Sequence, residues 1–273
     1  MFKTRVLVAL GLLPLGFGVI YLGGWVFNLI IPAVLALAGW EYARLFRSGG
    51  NQPSAWLVAL GCAALPLARA WSGFDQAPLV LSLLVMAVMA HYLVQFERGC
   101  QHAASDFAIS LSGVLYVGWL GAYIISLRAL PEGLGWVLLV LPGIWAADSF
   151  AYLIGSRIGR HKMTPRLSPK KSWEGYLAGI VFAVPITALF AWGYSAYAGP
   201  ATAVTPLRGA LVGLAMGIFP TLGDLGESMI KRQFGVKDSG ALLPGHGGIF
   251  DRIDSWLWGA VIGYYLIQLF FTA

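Results

Sequence analysis

The chain is dominated by long apolar runs, and these most constrain what it can fold into. They fall at roughly 5–22, 24–42, 54–70, 77–94, 107–127, 134–154, 175–197, 207–225 and 255–272. A membrane-crossing helix needs about 20 consecutive apolar residues, so the runs read as nine candidate spans. Eight or ten are compatible with the runs alone, because the first two share a tight Gly23-Gly24 turn and the third is broken by Pro66. Only 11% of residues are charged, against about 25% in a soluble domain. Such a chain cannot cover a water-facing surface, and lipid must be its main solvent. The expected fold is an all-α polytopic membrane protein. About five helices would lie in 1–130, and a catalytic bundle with two polar loops in 131–273.

Lys3 and Arg5 precede the first run as they would in a signal peptide. The run continues to Leu22 without a clear small-x-small cleavage site, and further spans follow, so it is read as a retained helix. Cys62 sits in an apolar run and Cys100 in a polar link, which predicts two free thiols.

Basic residues orient the chain. With the N-terminus inside, all of the 18 Lys and Arg fall on the inner side except Arg69, Arg128 and Arg208. This split makes the helix count odd, supports nine, and puts the C-terminus outside. The net charge of +6 therefore reflects topology, not nucleic-acid binding. Both long polar connections, about 155–174 and 226–254, share the cytoplasmic face. The expected location is the inner (plasma) membrane, with the site facing the cytoplasm.

Three constellations could carry chemistry. The first is Asp224, Glu227, Ser228, Lys231 and Arg232 at the inner end of the eighth run. On a continuing helix, Asp224, Ser228 and Lys231 fall at i, i+4 and i+7, on one face. A carboxylate next to hydrocarbon needs a partner or a polar cavity; the plainer alternative is a helix end dipping into the headgroups. The second is Lys237-Asp238-Ser239-Gly240, followed by the Gly-rich turn with His246, Gly247 and Gly248, then Asp251, Arg252 and Asp254. Gly-rich backbone can turn its N–H groups toward an anion. Acids at a helix start also act as plain caps, which explains one acid better than two. The third runs from Asp148, inside a span, through the cationic loop to Ser168-Pro169-Lys170-Lys171-Ser172-Trp173-Glu174-Gly175. Its alternative reading is topology, anionic-lipid contact and helix-start chemistry.

Carboxylates from two helix ends can hold a hard divalent cation, and nearby Lys and Arg can hold phosphate oxygens. Together they are the equipment of phosphoryl or nucleotidyl transfer. No Walker-type loop and no Cys/His zinc cluster is present. Helices seven to nine carry Gly175/Gly179, Gly209/Gly213/Gly217 and Gly259/Gly263, the small-xxx-small spacing of closely packed membrane helices.

The pattern Ser228-x-Ile230-Lys231-Arg232-x4-Lys237-Asp238-x-Gly240-x2-Leu243-Pro244-x-His246-Gly247-Gly248-Ile249-x-Asp251-Arg252-Ile253-Asp254 resembles the signature of phosphatidate cytidylyltransferases, also called CDP-diacylglycerol synthases. The stretch Asp148 to Gly175 is similar to the family's second typical block, while the first five helices match only as generic spans. The resemblance implies the reaction of CTP with phosphatidic acid to give CDP-diacylglycerol and pyrophosphate. It implies Mg²⁺, with K⁺ as a candidate second ion in a paired site, and a homodimer. Asp224 and Asp251 match the metal-ligand positions.

Candidate catalytic residues are accordingly Asp224, Asp251, Lys231, Arg232, His246 and Asp254. Candidate substrate-contacting residues are Asp148, Lys170, Lys171, Ser172, Glu174, Ser228, Lys237, Asp238, Gly247, Gly248 and Arg252. A transporter would also place ionisable residues in a bundle, but deep in several helices; here the polar load is one-sided. The Asp-Gly-x2-Ala-Arg pattern of CDP-alcohol phosphotransferases is absent.

Overall fold

The structure, a computed structural model, describes residues 11, 14–240, 242 and 247–271. It is 79% helical. Among the described residues, seven helical stretches are long and apolar enough to cross a membrane, including Ala77–Glu97, Gly133–Ile158 and Trp173–Ala198. A helix closes every backbone hydrogen bond within its own segment, which is why apolar runs in lipid become helices. The first run falls partly outside the described residues. The last is helical but is not among the seven.

In chain order, α1 covers 14–22, α2 Gly24–Leu45, α3 Ala55–Ser72, α4 Ala77–Glu97 and α5 Ala103–Gly113. A π-helical turn over Val114–Trp119 follows, then α6 Tyr123–Ala129, α7 Gly133–Ile158 and strands β1 Lys162–Thr164 and β2 Ser168–Ser172. The chain ends with α8 Trp173–Ala198, α9 Pro206–Ile218, α10 Thr221–Gln233 and α11 Phe250–Phe270.

The mainly helical architecture agrees with an all-α polytopic membrane protein. Between α7 and α8, β1 and β2 add a short antiparallel hairpin, pairing Lys162 with Ser172 and Thr164 with Ser168. One expectation is corrected: the run 207–225 is not one helix. It breaks at Phe219-Pro220, because proline has no N–H to continue the helical ladder, and α10 starts afresh at Thr221. Asp224 therefore stands in a first turn, at the electropositive end of its own helix.

The chain divides into two compact units, Met1–Ser126 with Ile230–Ile253, and Leu127–Met229 with Asp254–Ala273. In the first unit the chain just past α2 and just past α10 meets through Phe46 and Phe234, ring centroids 4.8 Å apart. Helix α4 exposes Leu83, Met86, Leu93 and Phe96, a face suited to lipid. Cys62 and Cys100 are both free thiols.

In the second unit the glycine pairs of α8, α9 and α11 lie at close helix contacts, as their spacing predicts. A Cβ on Gly179 would lie 2.7 Å from the Ala147 carbonyl oxygen of α7, and one on Gly213 2.7 Å from the Ala183 carbonyl oxygen of α8. Cβ atoms on Gly259 and Gly263 would strike Ile144 and Val140 of α7. The absent side chains let these backbones approach.

Candidate active site

The first unit centres on Asp251, one residue into α11. Its Oδ1 accepts from Lys231 Nζ at 2.6 Å. Its Oδ2 accepts from the Ser239 amide at 2.8 Å, the Ser239 hydroxyl at 2.9 Å and the Gly248 amide at 2.8 Å. The side chain is only 5% exposed. This is the anchoring a buried carboxylate requires, since an unpaired one would cost several kcal/mol. Gly247 adopts φ 82°, a left-handed conformation open to glycine, and a Cβ there would lie 2.7 Å from Asp251 Oδ2. Gly247 and Gly248 thus bring bare backbone against the carboxylate. Arg232, Lys237, Asp238 and Arg252 are exposed. His246 lies outside the described residues.

The second unit centres on Asp224. Its Oδ2 pairs with Lys171 Nζ at 2.6 Å, and its Oδ1 accepts from the Ser228 hydroxyl at 3.3 Å. The i, i+4 relation expected of Asp224 and Ser228 is therefore realised on α10. Asp254 is buried and accepts from the Ser255 amide at 2.6 Å. It hydrogen-bonds Glu227 and feels the charges of Asp224 and Asp148. Gly223 makes this grouping possible, since a Cβ there would strike the Asp254 carbonyl oxygen. Asp148 is exposed on α7.

The hairpin sets the position of the cationic loop. Lys170 and Lys171 lie on β2, with Lys170 exposed and Lys171 turned to Asp224. Ser172 and Glu174 are occupied locally. Ser172 Oγ caps α8 by accepting from the Gly175 amide at 3.2 Å. Glu174 accepts from the His161 amide and lies 2.6 Å from His161 Nδ1, closing the hairpin. Losing an N-cap costs about 1 kcal/mol. Ser172→Ala should therefore lower the thermal unfolding midpoint in detergent while Ser172→Asp preserves it; an unchanged Ala midpoint would refute the cap.

The sequence model of the cytidylyltransferase family matches residues 3–270. The chain belongs to this family. Phosphatidate cytidylyltransferase of Pseudomonas aeruginosa is 36% identical, over 93% of this chain and 93% of that protein. The Synechocystis sp. phosphatidate cytidylyltransferase is 34% identical over 97% and 96%. Phosphatidate cytidylyltransferase 5, chloroplastic, of Arabidopsis thaliana is 33% identical over 98% of this chain and 72% of its own length.

In this cytidylyltransferase-family chain the acids do not make a ready-made metal cage. Among the described residues no three His, Cys, Asp or Glu side chains form a metal-holding group. A hard divalent ion does not need one, because one or two carboxylates can hold it together with substrate phosphates. Asp224 fits that role: its carboxylate is 32% exposed and carries hard oxygens. Asp251 is more fully enclosed, with the Lys231 ammonium at Oδ1.

One residue of the first unit escaped the sequence reading. Glu41, on α2, is 3% exposed and reaches the Ser239–Phe250 segment. A single acid near Arg44 and Arg47 reads in sequence as an ordinary inner helix end. Its partners lie about two hundred residues away, and no local pattern links them.

Proposed function

We propose that this chain is a phosphatidate cytidylyltransferase, transferring the cytidylyl group of CTP to phosphatidic acid. A phosphate oxygen of the lipid bonds to the CTP α-phosphorus, and the bond from that phosphorus to the β-phosphate bridging oxygen breaks. CDP-diacylglycerol and pyrophosphate result. The observation that carries this reading is the family match across nearly the whole chain, joined to the carboxylate and lysine pairs on α10, α11 and β2.

The chain's own residues suit two anionic substrates. Lys170, Lys171, Lys231, Arg232, Lys237 and Arg252 are the phosphate binders, and His246 is a further candidate. Ion pairing with Asp224 and Asp251 holds Lys171 and Lys231 in place before substrate arrives. The attacking phosphate has a second pKa of about 6 and is largely ionised near neutral pH, so no dedicated base is needed. Asp224 and Asp251 are each proposed as a ligand for Mg²⁺ within its own unit, with K⁺ as a second ion and Asp148 and Asp254 as orienting acids beside Asp224. Bound there, Mg²⁺ would neutralise charge building on the phosphates.

The proposed topology has nine spans in the inner membrane, an N-terminus inside and a C-terminus outside, and the working enzyme is a homodimer. The basic-residue split supports this orientation. The reading is tested with purified protein in detergent, CTP and phosphatidic acid. Formation of CDP-diacylglycerol that stops on chelation of divalent ions is expected; no lipid-linked product would contradict it.

A further inference from the structure

Glu41 sits near the inner end of α2, among residues that otherwise look like generic membrane span. A buried carboxylate there is costly unless it has partners. Its partners all lie around the start of α11. Glu41 Oε2 accepts from the Phe250 amide at 2.9 Å and from the Ser239 hydroxyl at 3.2 Å. Phe250 opens α11, so its amide is one of the orphan donors of a helix N-terminus, and Glu41 satisfies it from a distant helix. The neighbouring Tyr42 packs edge-on against the Phe250 ring, centroids 5.7 Å apart.

The same Ser239 hydroxyl also lies 2.9 Å from Asp251 Oδ2, so its single proton is shared between the two carboxylates. The backbone around them is shaped to the Glu41 side chain. A Cβ on Gly240 would overlap Glu41 Oε1, and one on Gly248 would overlap Glu41 Oε2 and the Ser239 hydroxyl. The loop thus lies directly against both oxygens of Glu41, and glycine at these two positions keeps that contact open.

We infer that Glu41 is a positioning residue for the transfer: by anchoring Ser239 and the Phe250 amide, it holds Asp251 in the orientation that presents Oδ1 to Lys231. The inference rests on the proposed cytidylyl transfer. Glu41 touches no reacting atom in this account. Its loss should slow the committed step without weakening substrate binding.

The test compares kcat and KM of purified wild type, Glu41→Ala, Glu41→Gln and Gly240→Ala in detergent, alongside thermal unfolding. Glu41→Ala should lower kcat about thirtyfold or more while KM for CTP and for phosphatidic acid stays within about twofold. Glu41→Gln keeps a carbonyl oxygen for the Phe250 amide and should restore kcat to within about threefold of wild type. Gly240→Ala, which crowds Glu41 without removing it, should also lower kcat with KM unchanged.

A folded Glu41→Ala with near-wild-type kcat overturns the inference, as does a folded Glu41→Gln as slow as the Ala variant. If Glu41→Ala does not fold, Gly240→Ala decides: lowered kcat supports the positioning role and undiminished kcat overturns it. Inactive wild type would instead overturn the assigned reaction.

Discussion

Asp251→Asn is expected to lower kcat at least about a thousandfold, because it removes both a proposed metal ligand and the charge that holds Lys231. The geometry leaves the amide no good orientation. Three donors converge on Oδ2, from the Ser239 amide, the Ser239 hydroxyl and the Gly248 amide. Lys231 donates to Oδ1. An Asn oxygen can replace only one of these positions, and its NH₂ must face donors at the other. Breaking a buried pair by removing one partner costs about 3–5 kcal/mol, so Asp251→Asn should also lower the unfolding midpoint. Turnover within tenfold of wild type would remove Asp251 from the working site.

Asp224→Asn separates the two effects. Its pair with Lys171 is partly exposed, at 32% and 24%, and exposed ion pairs contribute about 0–1 kcal/mol. The variant should fold and melt nearly as wild type does. Its kcat should nonetheless fall about a thousandfold, since the proposed metal role depends on the carboxylate charge. The two variants together distinguish an acid that both builds and works the site from one that mainly works it. Normal turnover in Asp224→Asn would refute its place in the metal site.

The legible parts were those written in local pattern. Apolar runs of membrane length became helices because lipid leaves the backbone no other way to satisfy its hydrogen bonds. The Asp224–Ser228 relation followed from helical spacing, and the cap at Ser172 from the turn chemistry that precedes α8. The glycine pairs of α8 and α9 marked close helix contacts.

What stayed hidden depended on partners far along the chain or on a local break. The β1–β2 hairpin needed the His161–Glu174 closure, which a cationic loop does not announce. Pro220 ended α9 inside what looked like one continuous span. Glu41 meets Ser239, 198 positions away, and no local pattern announces that contact.

The central claim is tested most directly by the fate of labelled phosphorus. Purified protein is incubated with phosphatidic acid, Mg²⁺ and CTP carrying label in either the α- or the γ-phosphate. The account predicts that α-label enters the lipid phase as CDP-diacylglycerol and γ-label stays in water as pyrophosphate. Label from the γ-phosphate in lipid, or no label in lipid from either, would contradict it.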